Sequence, residues 1–106
     1  MFGIKVWRIE GPSMAPVIAD GSFVFVKTKL KKGKIQFGHK LIIRHKRYGH
    51  IIKTVEFIDR NGVIWCRGEN PLSVTTEQIG PISIEQILGR VLFSISPPQA
   101  SLKTNV

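Results

Sequence analysis

The sequence predicts an all-β domain, and three observations support this prediction. Short runs rich in Val, Ile and Phe recur along the 106 residues, separated by clusters of Gly, Pro, Asn and Lys. An Asn-Gly pair at residues 61–62 separates two of these runs and favours a tight hairpin turn, because both residue types tolerate positive φ. Helical signals are scarce, since only residues 76–78 and 83–87 favour a single helical turn each.

Six strands are predicted, in order, at residues 4–9, 22–28, 40–45, 49–58, 62–67 and 88–95. The first ends before a Gly-Pro pair, and the second before a lysine-rich turn. The third and fourth flank a short basic turn, the fifth follows the Asn-Gly pair, and the sixth closes the domain. A chain of this length with 42% hydrophobic residues supports one modest core, so we predict one domain at residues 1–96 and a flexible tail at residues 97–106.

A serine and a lysine are the main candidates for chemistry. Ser13 lies in the motif Gly-Pro-Ser-Met-Ala-Pro at residues 11–16, where two prolines restrict φ and Gly11 permits an unusual turn. We therefore expect its hydroxyl on a stiff loop. Lys53 lies in the fourth predicted strand, where period-two alternation places it on one face with three apolar residues, Ile51, Val55 and Phe57.

This pair predicts a serine nucleophile activated by an unprotonated lysine. The reference pKa of lysine, about 10.4, is too high for a general base, which works best near about 7 to 8. Burial disfavours the ammonium, and lowering the pKa to that range costs about 4 kcal/mol. The alternative interpretation is structural: Lys53 extends its ammonium to solvent from an edge strand, and Ser13 is an ordinary turn residue.

Four motifs resemble, in the same order, those of type I signal peptidases and LexA-like self-cleaving proteins. The nucleophile motif covers residues 9–18 and continues through 20–26, and the general-base motif is Ile-Ile-Lys-Thr-Val at 51–55. Gly-Glu-Asn-Pro-Leu-Ser at 68–73 is similar to the Gly-Asp-Asn motif, and residues 80–82 with 87–91 are similar to the closing segment. The resemblance covers residues 6–95 and is specific because the motifs keep their order.

The resemblance implies a coiled, barrel-like β fold of the signal peptidase and LexA catalytic-core type. It also implies that Ser13 is the nucleophile and Lys53 the general base. Because Gly11 stands where bacterial signal peptidases have a helper serine, the backbone amides of Ser13 and Met14 are the expected oxyanion donors. Ser73 occupies the position of a family serine that orients the lysine. The resemblance also implies that the substrate has small residues before the scissile bond.

Besides Gly11, three further sites depart from the signal peptidase pattern. Ser22 follows Gly21 where an aspartate is usual, Thr54 follows the lysine where an arginine is usual, and Thr-Thr-Glu at residues 75–77 replaces Asp-Ser-Arg. The surroundings of the two catalytic candidates are therefore altered. The chain also resembles short unanchored members of this group, the maturation peptidases for nickel-containing superoxide dismutase, in its Asn-Pro pair at residues 70–71.

The predicted function is that of a bacterial serine endopeptidase that processes a protein precursor in trans. A LexA-like or UmuD-like self-processing regulator is the alternative within the same class, and the Glu-Asn pair at residues 69–70 is shared with that branch. Twelve residues precede Ser13, fewer than the usual cleavage segment, which favours cleavage in trans unless the chain is already a processed product.

The basic residues support an alternative from another class. Twelve of the 16 Lys and Arg residues lie at or before Lys53, against two of the seven acidic residues, so the net charge of +9 arises in the first half. Two basic loops, at residues 27–34 and 44–47, are suited to an acidic precursor, an anionic surface or nucleic acid. A non-enzymatic β module that binds nucleic acid would use them with Trp7, Tyr48 and Trp65, whereas the structural interpretation is a pair of solvated hairpin tips.

The remaining residues argue against cofactors and anchors. Cys66 is the single cysteine and lies in a strand-like run, so we predict a core residue. The three histidines lack Cys or carboxylate partners at a known metal spacing, and neither a metal nor another cofactor is expected. No signal peptide or transmembrane anchor is recognisable, and the cytoplasm is the predicted location.

Overall fold

The computed structural model describes residues 3–31 and 33–96 and consists mainly of β-strands. The six strands are β1 (Ile4–Arg8), β2 (Phe23–Lys27), β3 (Lys40–His45), β4 (Gly49–Ile58), β5 (Ile64–Arg67) and β6 (Ile87–Ile95). Helix α1 spans Thr76–Ile79, and a 3-10 turn spans Ile84–Gln86. The limits agree with the predicted ones to within two residues, so the all-β prediction is confirmed. The predicted tail at residues 97–106 lies outside the described residues.

The strands form one antiparallel sheet in the order β1-β2-β6-β3-β4-β5. The sheet coils and brings β1 close to β4: the Trp7 ring on β1 stacks on the His50 ring on β4 at a centroid distance of 6.0 Å. Within the described residues β1 pairs only with β2, and the sheet does not close into a hydrogen-bonded barrel. One edge of β1 is therefore unpaired.

Two hydrophobic cores lie on opposite faces of this sheet. The loop-side core includes two residues of the loop between β1 and β2, and its members are Ile9, Met14, Ile18, Val24, Val26, Ile42 and Ile52. The helix-side core includes Ile79 of α1, and its members are Ile35, Leu41, Ile43, Val55, Ile64, Cys66, Ile79 and Ile82. Consecutive residues of β3 enter different cores, as alternation along a strand requires.

A β-bulge in β4 corrects one prediction about the face that Lys53 shares. The pairing of β4 with β5 shifts between Val55 and Phe57, so Val55 lies opposite Cys66 while Phe57 lies opposite Trp65. The extra residue reverses the alternation. Phe57 therefore lies on the other face from Lys53 and is 48% exposed, so its predicted place beside Lys53 is wrong.

The turn between β4 and β5 forms where it was predicted but with different backbone angles. Gly62 has a φ of +83°, whereas no described residue other than glycine has a positive φ. The carboxylate of Asp59 accepts hydrogen bonds from the amides of Asn61 and Val63, at 2.9 and 3.0 Å. Gly62 alone thus supplies the left-handed conformation, and Asn61 does not share that role.

The short helical segments do not reach across a bilayer. Among the helices in the described part of the chain, none has the length and apolar character of a membrane span.

Candidate active site

A cavity of about 560 Å³ brings the predicted catalytic residues together. It is bounded by β1 and the residues that follow it, by β3 and β4, and by residues 73 and 74. The residues that line it are Trp7, Arg8, Ile9, Glu10, Ser13, Ile42, Tyr48, His50, Ile51, Ile52, Lys53, Ser73 and Val74. Ser13, Lys53 and Ser73, which come from three distant motifs, thus share one solvent-accessible space.

The loop that carries Ser13 is fixed by its own hydrogen bonds. Gly11 has a φ of +94°, and its amide donates to the Asp20 carboxylate at 2.9 Å. The Ala15 amide donates to the Pro12 carbonyl at 2.9 Å. Met14 next to Ser13 is fully buried in the loop-side core. The loop therefore holds Ser13 at the surface of the cavity from an anchored backbone.

Residues 68–73 clamp the same loop from the other side. The Ser13 carbonyl accepts three hydrogen bonds: from the Glu69 and Asn70 amides, each at 2.9 Å, and from the Ser73 hydroxyl at 3.1 Å. The Asn70 side-chain amide also donates to the Pro12 carbonyl, at 3.0 Å. Four donors from one segment thus fix the backbone carbonyls on both sides of Ser13.

Gly68 permits this close approach because it has no side chain. A Cβ at residue 68 would collide with the Ser73 side chain and lie 3.0 Å from the Ser13 carbonyl oxygen. The φ of Gly68 is not in the left-handed region, so the requirement for glycine is steric rather than conformational.

Lys53 is 3% exposed and lies on β4 opposite Leu41. Burial lowers the pKa of Lys53 from its ordinary value of 10.5, and the electrostatic influence of Cys66 opposes this shift to a smaller extent. The neutral amine is therefore favoured more than in solution. A neutral amine is the form that a general base requires.

Cys66 is confirmed as a core residue. It has no exposed surface and belongs to the helix-side core. Burial raises the pKa of its thiol to about 12. Its thiolate is scarce at neutral pH, so Cys66 is unsuited to act as a nucleophile.

Thr54 connects the strand of Lys53 to the clamp. The buried Thr54 hydroxyl donates to a Glu69 carboxylate oxygen at 2.8 Å, and Arg67 lies 3.6 Å from the same oxygen. Thr54 stands where signal peptidases usually have an arginine, and in this chain its hydroxyl contacts the clamp. The motif at residues 68–73 signalled this contribution, but sequence reasoning assigned no role to Glu69 or Asn70.

The structure places the other predicted site residues as follows. Ser73 lines the cavity, and its hydroxyl faces the carbonyls of Ser13 and Asn70, at 3.1 and 2.5 Å, as a donor. Met14 has no exposed surface and does not line the cavity. Ser22, at the position of a usual aspartate, is buried, and its hydroxyl has no hydrogen-bond partner within the described residues.

The described residues contain no group of side chains arranged as a metal site. Within residues 3–31 and 33–96, no three His, Cys, Asp or Glu side chains are grouped as metal ligands.

A serine on a clamped loop and a buried lysine, facing one cavity of an all-β domain, are typical of Ser-Lys peptidases. The family model described as Peptidase S24-like matches residues 3–92, and the chain belongs to this family. The resemblance to LexA-like and signal peptidase-like proteins is thereby confirmed at the level of the family, which supports a peptidase-type function. No curated protein matches the chain.

Proposed function

We propose that this protein is a serine endopeptidase in which Ser13 is the nucleophile and Lys53 the general base. The observation that carries this proposal is that Ser13 and the buried Lys53, whose pKa burial lowers, line the same cavity. Membership in the S24-like family supports the same chemistry.

The proposed reaction has two steps. The Ser13 hydroxyl oxygen attacks a peptide carbonyl while the neutral Lys53 amine accepts the hydroxyl proton. The Lys53 ammonium then donates that proton to the leaving amine, and an ester with Ser13 remains. Water attacks this ester as Lys53 takes up a proton again, and the acid product leaves as the Ser13 hydroxyl is restored.

The oxyanion is assigned to backbone amides. The Ser13 amide adjoins the attacking hydroxyl, and within the described residues no hydrogen bond engages it. The Met14 amide is the second predicted donor, but Met14 has no exposed surface. Its participation therefore requires a local movement of the 13–14 peptide when substrate binds.

The substrate is proposed to bind as an extended strand beside β1. Among the described residues nothing pairs with the edge of β1 away from β2, and residues 7–10 at its end line the cavity. A peptide added at this edge would gain backbone hydrogen bonds and pass Ser13.

Cleavage in trans is favoured because the described segment before Ser13 is already used by the fold. Residues 4–8 form β1 and are hydrogen-bonded to β2, and Ile9 is buried in the loop-side core. This segment would have to leave the sheet before it could reach Ser13 as a substrate. The protein substrate is therefore proposed to be a separate precursor.

The test is labelling by a serine-reactive acylating probe, followed by intact mass, across pH of about 6 to 10. We expect one adduct whose rate of formation rises with an apparent pKa below that of free lysine. The adduct should be absent in Ser13→Ala and in Lys53→Ala.

Ser94→Ala is the matched control, because Ser94 is exposed on β6 and does not line the cavity. This variant should be labelled like the wild type. Labelling that persists in Ser13→Ala, or an unlabelled wild type, would rule out the proposed mechanism. A mass shift of the protein incubated alone would instead support self-processing.

A further inference from the structure

Another depression, which shares no residue with the cavity of Ser13, is lined by cations. It has a volume of about 420 Å³ and lies where β2, β6 and the loop between β2 and β3 meet. Its cationic and histidine residues are Lys27, Lys29, Lys31, Lys34, His39 and Arg90, and we call this site the cationic pocket. None of the residues that line it is acidic, and Leu30 and Ile35 add apolar surface.

Two cations of the cationic pocket face each other across neighbouring strands. Lys27 on β2 lies directly opposite Arg90 on β6. A Cβ at residue 89 would lie 2.8 Å from the Lys27 carbonyl oxygen, so Gly89 permits the close approach of the two strands. Like charges in this arrangement destabilise a sheet. Within the described residues neither side chain has an ion-pair partner.

His39 adds a second unfavourable contact at Arg90. The Gln36 amide lies 3.1 Å from His39 Nδ1, and Arg90 Nη1 lies 3.1 Å from His39 Nε2. Both neighbours are donors, whereas a neutral imidazole accepts at only one nitrogen. In either neutral tautomer one N–H group thus faces another N–H group. An anionic oxygen at this place would accept from Arg90 and relieve the conflict.

The loop brings further lysines to the same place, and hydrogen bonds fix its backbone at Thr28 and at Lys34. The amide and the hydroxyl of Thr28 both donate to the Gly3 carbonyl, at 2.5 and 2.8 Å. The Lys34 amide donates to the Lys31 carbonyl at 3.1 Å, which closes a turn with both lysines at its ends. The positive charge of the cationic pocket is therefore held in place at both ends of the loop.

We propose that the cationic pocket binds a phosphate-bearing anion. Phosphate oxygens accept several charge-assisted hydrogen bonds, and an arginine with surrounding lysines is a typical partner for them. The anion would neutralise the Lys27 and Arg90 pair and accept the donors that conflict at His39. This site lies apart from the cavity of Ser13, and its ligand does not depend on the proposed peptidase activity.

Two sources can present such a phosphate. One is a small soluble phosphate compound, and the other is the headgroup of an anionic phospholipid. The neighbouring row of the sheet is apolar: Val6 and Phe93 flank Phe25, they are 50% and 55% exposed, and the Phe25 and Phe93 rings stack at 4.5 Å. This exposed apolar row lies beside Lys27 and Arg90 and could contact lipid. Binding to a lipid headgroup is therefore tested separately from binding to a soluble phosphate compound.

The first arm is titration with pyrophosphate, monitored by calorimetry. The pocket variant is the double substitution Lys31→Gln/Lys34→Gln, which changes exposed loop residues and should leave the fold intact. The control is Lys46→Gln/Arg47→Gln, which removes the same charge from the other basic loop. We expect the pocket variant to bind pyrophosphate at least about tenfold more weakly and the control to change affinity by less than about twofold.

The second arm is co-sedimentation with phosphatidylcholine vesicles, with and without phosphatidic acid. Recruitment by phosphatidic acid that the pocket variant abolishes would support the site with a lipid as its source. Pyrophosphate binding without recruitment would support it with a soluble source. No binding in either arm, or equal losses in the pocket variant and the control, would overturn the proposal.

A third readout is the melting temperature of Arg90→Gln. Without phosphate, this variant should melt at or above the wild-type temperature, because the repulsion with Lys27 is removed. Pyrophosphate should raise the melting temperature of the wild type but not that of Arg90→Gln. Ser13→Ala should behave like the wild type in all arms, so failure of the peptidase proposal leaves this test intact.

Discussion

The burial of Lys53 has opposite effects on stability and on the chemistry proposed for it. With 3% of its surface exposed, Lys53 loses most of the hydration that stabilises an ammonium. The same loss favours the neutral amine that can accept a proton from Ser13. The fold must therefore compensate for a destabilised charge at this position, and the packing of the helix-side core around β4 is available to do so.

Replacing Lys53 by methionine should stabilise the protein at neutral pH, by about 1 kcal/mol or more. Burial lowers the pKa of the Lys53 amine in the folded protein below 10.5, the ordinary value that it keeps in the unfolded chain. At a pH between the folded-state and unfolded-state pKa values, the unfolded chain therefore binds more protons than the folded protein. The stability of the wild type thus rises with pH in this window. The advantage of Lys53→Met should shrink as pH approaches 10.5, as urea unfolding at several pH values would measure.

Lys46→Met is the control for this experiment, because Lys46 is exposed on the turn between β3 and β4. Its effect on the free energy of unfolding should be small and should not follow the same pH dependence. A stability difference for Lys53→Met that stays constant with pH would contradict a buried amine with a lowered pKa.

At the scale of elements, the clamp at residues 68–73 is the contact that holds the loop of Ser13. Its three donors converge on one carbonyl, that of Ser13, and Thr54 ties Glu69 of the clamp to β4. Ser13 and Lys53 are thus held relative to each other through a single segment.

Gly68→Ala and Gly89→Ala form a matched pair that tests the clamp. Both glycines lack a left-handed φ, and a Cβ at either would collide with a neighbouring side chain. Both variants should lose about 1 to 3 kcal/mol of stability. Only Gly68→Ala should also slow the labelling of Ser13, by about ten- to a hundredfold, because its Cβ lies against Ser13 and Ser73.

The measurement compares labelling rates at a temperature at which both variants are folded. Similar rates for the two variants would show that residues 68–73 do not set the position of Ser13. Urea unfolding of each variant provides the stability against which the rates are compared.

The elements show where sequence reasoning succeeds and where it stops. Alternation of apolar residues and turn-forming residues located all six strands, including β1, which unlike the other five contains no buried residue. The bulge between Val55 and Phe57 was not predictable, since it depends on the register with β5. The hydrogen bond from Ser73 to the Ser13 carbonyl joins residues 60 positions apart, and the motifs indicated their importance but not their contact.

At the scale of the whole molecule, Ser13 and Lys53 adjoin different cores. Met14 anchors the loop of Ser13 in the loop-side core, whereas Val55 and Cys66 beside Lys53 belong to the helix-side core. Strands β3 and β4 contribute to both cores. Ile42 and Ile52 enter the loop-side core, whereas Leu41 and Ile43 of β3 and Val55 of β4 enter the helix-side core. The cavity that Ser13 and Lys53 share is lined by Ile9, Ile42 and Ile52 of the loop-side core and by Ile51 and Val74, which pack against the helix-side core.

Because the two cores share β3 and β4, they should unfold in one cooperative transition. Val24→Ala in the loop-side core should lower the free energy of unfolding by about 1 to 3 kcal/mol, and Ile82→Val in the helix-side core by about 0.5 to 1.5 kcal/mol. Both residues have no exposed surface and lie in separate clusters, so the double variant should lose the sum to within about 0.5 kcal/mol.

Urea unfolding followed by tryptophan fluorescence and by circular dichroism would test this prediction, because Trp7 packs against the loop-side core and Trp65 lies on β5. Coincident transitions are expected for the wild type and for all three variants. If Val24→Ala shifted the fluorescence of Trp7 alone, with the circular dichroism transition unchanged, the cores would be separate folding units. The alignment of Ser13 with Lys53 would then depend on the docking of two units rather than on one folded sheet.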